Sequence, residues 1–324
     1  ESATTAILSE ILAKLGYAPT TTVLNVPMTF GSMRNGTVDV FLGNWMPAQG
    51  AMLQPFLDDG SVQHVRVNLE GAKYTLAVPD YLYDSGLRDF ADIARFRDAL
   101  GGTIYGIEPG NDGNAHVLEM IQRNDFGLGQ FRLVESSEQG MLAQVARAVD
   151  AREPMVFLAW APHPMNTHFR LRYLSGGDEH FGPEFGAAQV NTLTRKYYLQ
   201  QCPNIGRVLQ NLAFTVALEN DWMDRLATEG ISPDKLARNW VRHAPPELDS
   251  WLDGVRTFDG RPAIDVFRPR SVNALPAARN DDTLGGIDHV LRSGARFIVD
   301  GFNAVTAALL MALVAAVAWL ARRS

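Results

Sequence analysis

Val38-Asp39-Val40-Phe41-Leu42-Gly43-Asn44-Trp45-Met46-Pro47 reads as a buried strand that stops at Gly43-Asn44 and then presents a tryptophan. Val38 to Leu42 is apolar apart from Asp39 and rich in β-branched residues. Pro47 lacks an N–H and cannot continue a ladder. A large ring just past the carboxyl end of a buried strand lies where open α/β sheets bind ligands. Pro154-Met155-Val156-Phe157-Leu158-Ala159-Trp160-Ala161-Pro162 repeats the pattern, again with proline two residues after the tryptophan. Either tryptophan alone is equally accounted for as a core or loop anchor. Their duplication, with the same flanking proline, points to one shared cleft.

Working outward, Ile7, Ile11 and Leu15 fall at i, i+4 spacing before Gly16, which predicts an amphipathic helix over residues 3–15. Thr22 to Val26 reads as a strand, Pro27 opens a short helix ending near Gly36, and Val38 to Leu42 follows. That order predicts a parallel βαβ unit. Val65, Val67 and Leu69 alternate as a half-buried strand, and Tyr74 to Val78 reads as a separate one closed by Pro79. Helices are predicted over 90–100, 113–123 and 137–149, with strands over 103–107, 131–134 and 155–159. The alternation from Tyr74 to Trp160 is self-sufficient, like an inserted α/β lobe. Glycines and prolines mark loops after Pro164, a strand is expected over 187–193, and helices over 204–212, 220–228, 233–243 and 247–255.

The length of 324 residues allows a large core and two lobes, and 46% hydrophobic with 20% charged residues is a globular composition. A net charge of −7 speaks against a nucleic-acid partner, which needs a basic face. The first helical pattern begins almost at Glu1, so further chain is expected upstream. Cys202 is the one cysteine, which excludes a cysteine-based zinc site and an internal disulfide. It is either a buried thiol or half of a bridge to an upstream partner.

Trp45, Tyr74 and Trp160 each lie at an end of a predicted strand. A quaternary ammonium has no N–H to donate and is held by ring faces, each desolvated contact contributing about 2 kcal/mol. Three rings therefore suit such a cation, although Tyr74 alone is also read as an ordinary strand-end aromatic. The loop Glu108-Pro109-Gly110-Asn111-Asp112-Gly113-Asn114 joins a strand to a helix. Asn111 either caps that helix or points into the cleft toward a polar ligand group, where a helix N-terminus also favours an anion. His163 and His168 are five apart with Pro164 between them, which is not the helical metal spacing, so no metal is expected. No Gly-x-Ser-x-Gly or P-loop pattern is present and no nucleophile has an evident partner, so neither an enzyme nor a cofactor is expected.

Four segments carry a resemblance. Asp39 to Pro47, Gly71-Ala72-Lys73-Tyr74-Thr75-Leu76-Ala77-Val78-Pro79, Gly106 to Asn114, and Phe157 to Asn166 together resemble, in order, the choline-binding proteins among the glycine betaine/choline substrate-binding proteins of ABC importers. The resemblance covers about residues 1–260. It implies an α/β, two-lobe type II periplasmic-binding-protein fold, with lobe I over 1–72 and 173–258 and lobe II over 73–172. It implies that Trp45, Tyr74 and Trp160 belong to an aromatic box around a trimethylammonium group and that Asn111 contacts the choline hydroxyl. A further tryptophan and an aspartate of the family lie before its first helix, outside this chain, so weak binding is expected. The resemblance also pairs Cys202 with a cysteine near the mature N-terminus.

The function this implies is an extracytoplasmic receptor delivering choline to ABC permease and ATPase subunits. The alternatives are a glycine betaine or proline betaine receptor of the same class, or a membrane-tethered sensor domain. Residues 259–296 hold Pro262, Pro269 and Pro276 and a polar run at 279–282, and are expected to be a linker. Phe302 to Leu320 carries no charge over 19 residues, long enough to cross a bilayer core, so 297–324 is expected to hold a transmembrane helix that tethers the protein. The same tail resembles the start of a permease subunit of these importers.

Overall fold

The computed structural model describes residues 2–268. The expected linker beyond residue 268 and the expected transmembrane segment, 297–324, lie outside the described residues. Among the described residues, no helix is long and apolar enough to cross a membrane.

A mixed seven-stranded sheet organises the chain. Its strands are β1 (Val40–Met46), β2 (Val62–Pro79), β3 (Thr103–Tyr105), β4 (Arg132–Val134), β5 (Phe157–Ala161), β6 (Leu171–Tyr173) and β7 (Ala187–Arg195). The order is β1-β7-β2-β5-β3-β4, with β6 also on β2. β2 runs through the middle, and its two halves have different neighbours. From Val62 to Lys73 it pairs with β7, and from Lys73 to Pro79 it pairs with β5 and β6, all antiparallel. β3 lies parallel to both β4 and β5.

The two strands expected on either side of Gly71 are thus one. Gly71 sits at φ +75 and the register to β7 slips between Leu69 and Ala72, so the break is absorbed as an irregularity inside a continuous ladder. A second expectation fails. Thr22 to Val26 is no strand: residues 17–25 have no regular structure, Val23 is 99% exposed, and a helix starts at Val26. β-branched residues make a strand only beside a neighbour, and this segment has no ladder partner among the described residues. β1 consequently pairs antiparallel with β7, and no parallel βαβ unit forms there.

Helices cover the sheet much as the apolar spacing predicts. Ser2–Lys14 buries Ile7 and Ile11, and Gly16 follows at φ +93. Glu138–Ala151 buries Met141, Val145 and Ala148, one stripe at i, i+4, i+7, and Ser137 caps it by accepting from the Gly140 N–H at 3.1 Å. In the helical C-terminal part, Trp240 packs against Trp222 and Trp251, and Phe214 meets Trp222 and Trp251 edge-on. The predicted helix over 90–100 is shorter, Phe90–Ile93 with a 3-10 turn to Phe96; Asp89 and Asp92 cap its start, and Gly101-Gly102 follow at positive φ. Residues up to 268, expected within the linker from 259, pack against the rest of the described chain. Arg256 bridges to Pro262, and Ala263 and Phe267 are buried.

Candidate functional site

β2 and β5 set two rings side by side. Tyr74 is the cross-strand partner of Trp160, so both side chains leave the same face of the sheet. Their centroids are 6.3 Å apart at an interplanar angle of 75°. Trp45 reaches the same tyrosine from β1, with centroids 6.0 Å apart at 59°. Both tryptophans lie inside their ladders rather than just beyond them. The antiparallel neighbours continue, Trp45 opposite Val190 and Trp160 opposite Tyr74, so the strands persist to Met46 and Ala161. Each then leaves through a cis peptide, Met46–Pro47 and Ala161–Pro162. Tyr74 is only 5% exposed, whereas both tryptophans keep part of their surface open.

Asn111 joins the group through the Tyr74 hydroxyl. Tyr74 Oη donates to Asn111 Oδ1 at 2.6 Å, and the same oxygen accepts the Gly113 N–H at 2.8 Å, capping the helix Asp112–Arg123. Of the two readings of Asn111, the structure shows the cap: its oxygen closes the first turn of the helix. Burial pushes the Tyr74 hydroxyl well above its ordinary range, and the neighbouring Asp112 charge pushes it further. It is a hydrogen-bond donor here and not a base. All four residues singled out in the sequence lie together.

The surroundings explain how these groups are held. Asn114, buried, clasps the preceding loop. Its Oδ1 accepts from the Ile107 N–H, and its Nδ2 donates to the carbonyls of Ile107 and Glu108 and to Glu135 Oε1 at 2.9–3.1 Å. Gly113 lies so close beneath Tyr74 that any Cβ there would collide with the hydroxyl. Under Trp45, Asn44 donates to Gln49 Oε1 and accepts from Asn191 Nδ2, both at 3.1 Å, in a buried polar network.

Beside Trp160 stands His163, at 4.8 Å between ring centroids. His163 Nδ1 accepts the Met165 N–H at 3.0 Å, so its Nε2 carries the proton and donates to Glu138 Oε1 at 3.1 Å. That bond holds the Glu138 carboxyl below its ordinary range. His168 points elsewhere, 3.9 Å from Asp224.

Sequence reasoning missed Phe181. It is fully buried and packs edge-on to Tyr74 at 5.9 Å and 90°. It comes from a short helix, Asp178–Phe181, amid glycines, where neither helical nor strand period exists to flag it. Cys202, the partner of a bridge only by resemblance, is a half-buried free thiol.

Comparison with known proteins agrees with this architecture. An ABC-transporter choline-binding protein solved in complex with choline is 49% identical and superimposes with a TM-score of 0.80, over 82% of this chain and 92% of that one. Lactococcal OpuAC, solved in its closed-liganded conformation with glycine betaine, is 26% identical at a TM-score of 0.70, over 78% of this chain and 94% of that one. The glycine betaine/carnitine transport binding protein GbuC of Listeria monocytogenes is 27% identical over 163 residues, half of this chain and 53% of that protein. The fold is the α/β type II periplasmic-binding-protein fold. The family described as the substrate binding domain of the ABC-type glycine betaine transport system matches residues 1–243. Its members are binding proteins and not enzymes, and this chain, matched over most of its length, belongs to that family.

Proposed function

We propose that the protein is an extracytoplasmic receptor for choline, held by the faces of Trp45, Tyr74 and Trp160, which it delivers to an ABC importer. One observation carries the reading: Trp45 and Trp160 both meet Tyr74, and the tyrosine is tied to Asn111. Ring faces attract a methylated ammonium that can make no hydrogen bond, and the Nδ2 of Asn111 is a donor for the choline hydroxyl oxygen. The likeness to a protein solved with choline, at 49% identity, supports the same ligand class.

Glycine betaine is the second reading, favoured by that same Asn111 donor, which a carboxylate would accept gladly. Asp112 weighs against it. Its carboxyl group is 2% exposed close to Tyr74, and a carboxylate there would favour a cation over a second carboxylate. In this reading the ligand bridges lobe I (1–72 and 173–258) and lobe II (73–172) and favours their closed arrangement, which is what the importer's permease and ATPase subunits meet. The tail over 297–324 tethers the receptor to the membrane by its apolar run.

Isothermal titration calorimetry of the purified chain with choline and with glycine betaine tests this. Choline binds more tightly, and Trp160→Ala weakens it about 30-fold, the equivalent of about 2 kcal/mol. Equal choline affinity for Trp160→Ala and the parent overturns the ring assignment, and tighter betaine binding overturns the choice of ligand.

A further inference from the structure

Behind the ring group, a second set of side chains has the chemistry of a metal site. His116, Glu119 and His180 each place one potential ligand atom so that all lie within 4.8 Å of one another. His116 and Glu119 are three residues apart on the helix Asp112–Arg123, hence on one face of it. His180 comes from the helix Asp178–Phe181, distant in sequence. The histidine pair considered from spacing alone, His163 and His168, is a different one, because tertiary folding brings His180 to His116.

Both imidazoles have an outer partner, and the one on His116 fixes its tautomer. His116 Nε2 lies 3.0 Å from the Ala48 carbonyl oxygen, which can only accept, so Nε2 holds the proton and Nδ1 is left with its lone pair. His180 Nε2 lies 3.3 Å from Asp125 Oδ2, a carboxylate contact on its outer side. Metal-bound histidines are held in this way, by a carbonyl or a carboxylate on the ring nitrogen that does not ligate.

We propose that His116, His180 and Glu119 form a site for a divalent transition metal of the zinc class, which fastens the helix Asp112–Arg123 to the Phe181 turn. Two imidazoles with one carboxylate suit zinc and its neighbours rather than calcium or magnesium, which want oxygen alone. Tetrahedral zinc needs donors about 3.4 Å apart, so the set must contract. Glu119 is exposed and supplies most of the movement. It leaves Arg123, which it now pairs with at 2.9 Å, and an exposed pair of that kind costs little to break. Arg123 retains Asp125 at 3.6 Å. Phe181 contacts both His116, at 5.4 Å, and Tyr74, so a metal here stiffens the packing behind the ring group.

The test is calorimetry and thermal shift of the chelator-treated protein with zinc chloride alone, with no choline present, so it stands or falls apart from the receptor reading. The parent binds one equivalent and its Tm rises. His180→Ala and Glu119→Gln each weaken zinc at least tenfold. Cobalt(II) in place of zinc gives a visible absorption band that Glu119→Gln alters, a readout that remains if His180→Ala fails to fold. Absence of zinc binding by the parent overturns the site, as does binding unchanged in Glu119→Gln and in His180→Ala.

Discussion

Asn44 has no route to water and two obligations. It gives its amide hydrogen to Gln49 and accepts from Asn191 directly beneath Trp45, at 0% exposure. Asn44→Leu leaves Gln49 Oε1 and Asn191 Nδ2 without that partner, a loss of about 1–3 kcal/mol, read as a lower urea midpoint. Tyr74 separates ring from hydroxyl. Tyr74→Phe keeps the face that meets a cation and loses the hydroxyl with its bond to Asn111, so choline affinity falls less than tenfold while Trp160→Ala costs more. The ranking of the two in calorimetry checks that the ring faces, and not the hydroxyl, dominate. The sequence named Tyr74 and Asn111 separately; their 2.6 Å bond joins residues 37 positions apart and is visible only in the fold.

Two elements show the same substitution acting with opposite sign. Gly113 lies in the first turn of Asp112–Arg123, hard against Tyr74, whereas Gly31 lies in the helix Val26–Arg34 with nothing near its missing Cβ. Gly113→Ala displaces Tyr74 and costs about 1–3 kcal/mol, while Gly31→Ala stabilises by about 0.5–1 kcal/mol through lost chain entropy. Opposite shifts in Tm check the pair. The helix Glu138–Ala151 adds a pH-dependent contact. The folded carboxyl of Glu138, held by His163, sits below its ordinary value of 4.5. Its contribution is complete above that ordinary value and fades as pH falls through the folded one. The stability gap between the parent and Glu138→Gln, measured in urea at pH 7 and again at pH 4, narrows at the lower pH. Capped, striped helices such as this were legible from the sequence, since caps and apolar spacing are local. β2 was not, because continuity across Gly71 depends on β7 and β5 lying alongside.

At the scale of the whole molecule, one strand carries two sets of neighbours, and the ring group gathers around the half that pairs with β5. If ligand draws the lobes together, choline lowers the radius of gyration in small-angle scattering, and Trp160→Ala at the same choline concentration does not. An unchanged scattering curve in saturating choline rules out closure as the mechanism. By itself the sequence determined the α/β class of the fold and most of the helices, because periodicity and capping are written in adjacent positions, and it named the three rings as candidates. The tertiary structure decided that Thr22 to Val26 makes no strand, that β2 is unbroken, that Phe181 backs Tyr74, and that His180 meets His116. Each of these depends on which segments become neighbours, and a strand edge, a ring contact or a ligand pair has no existence until distant parts of the chain supply its other half.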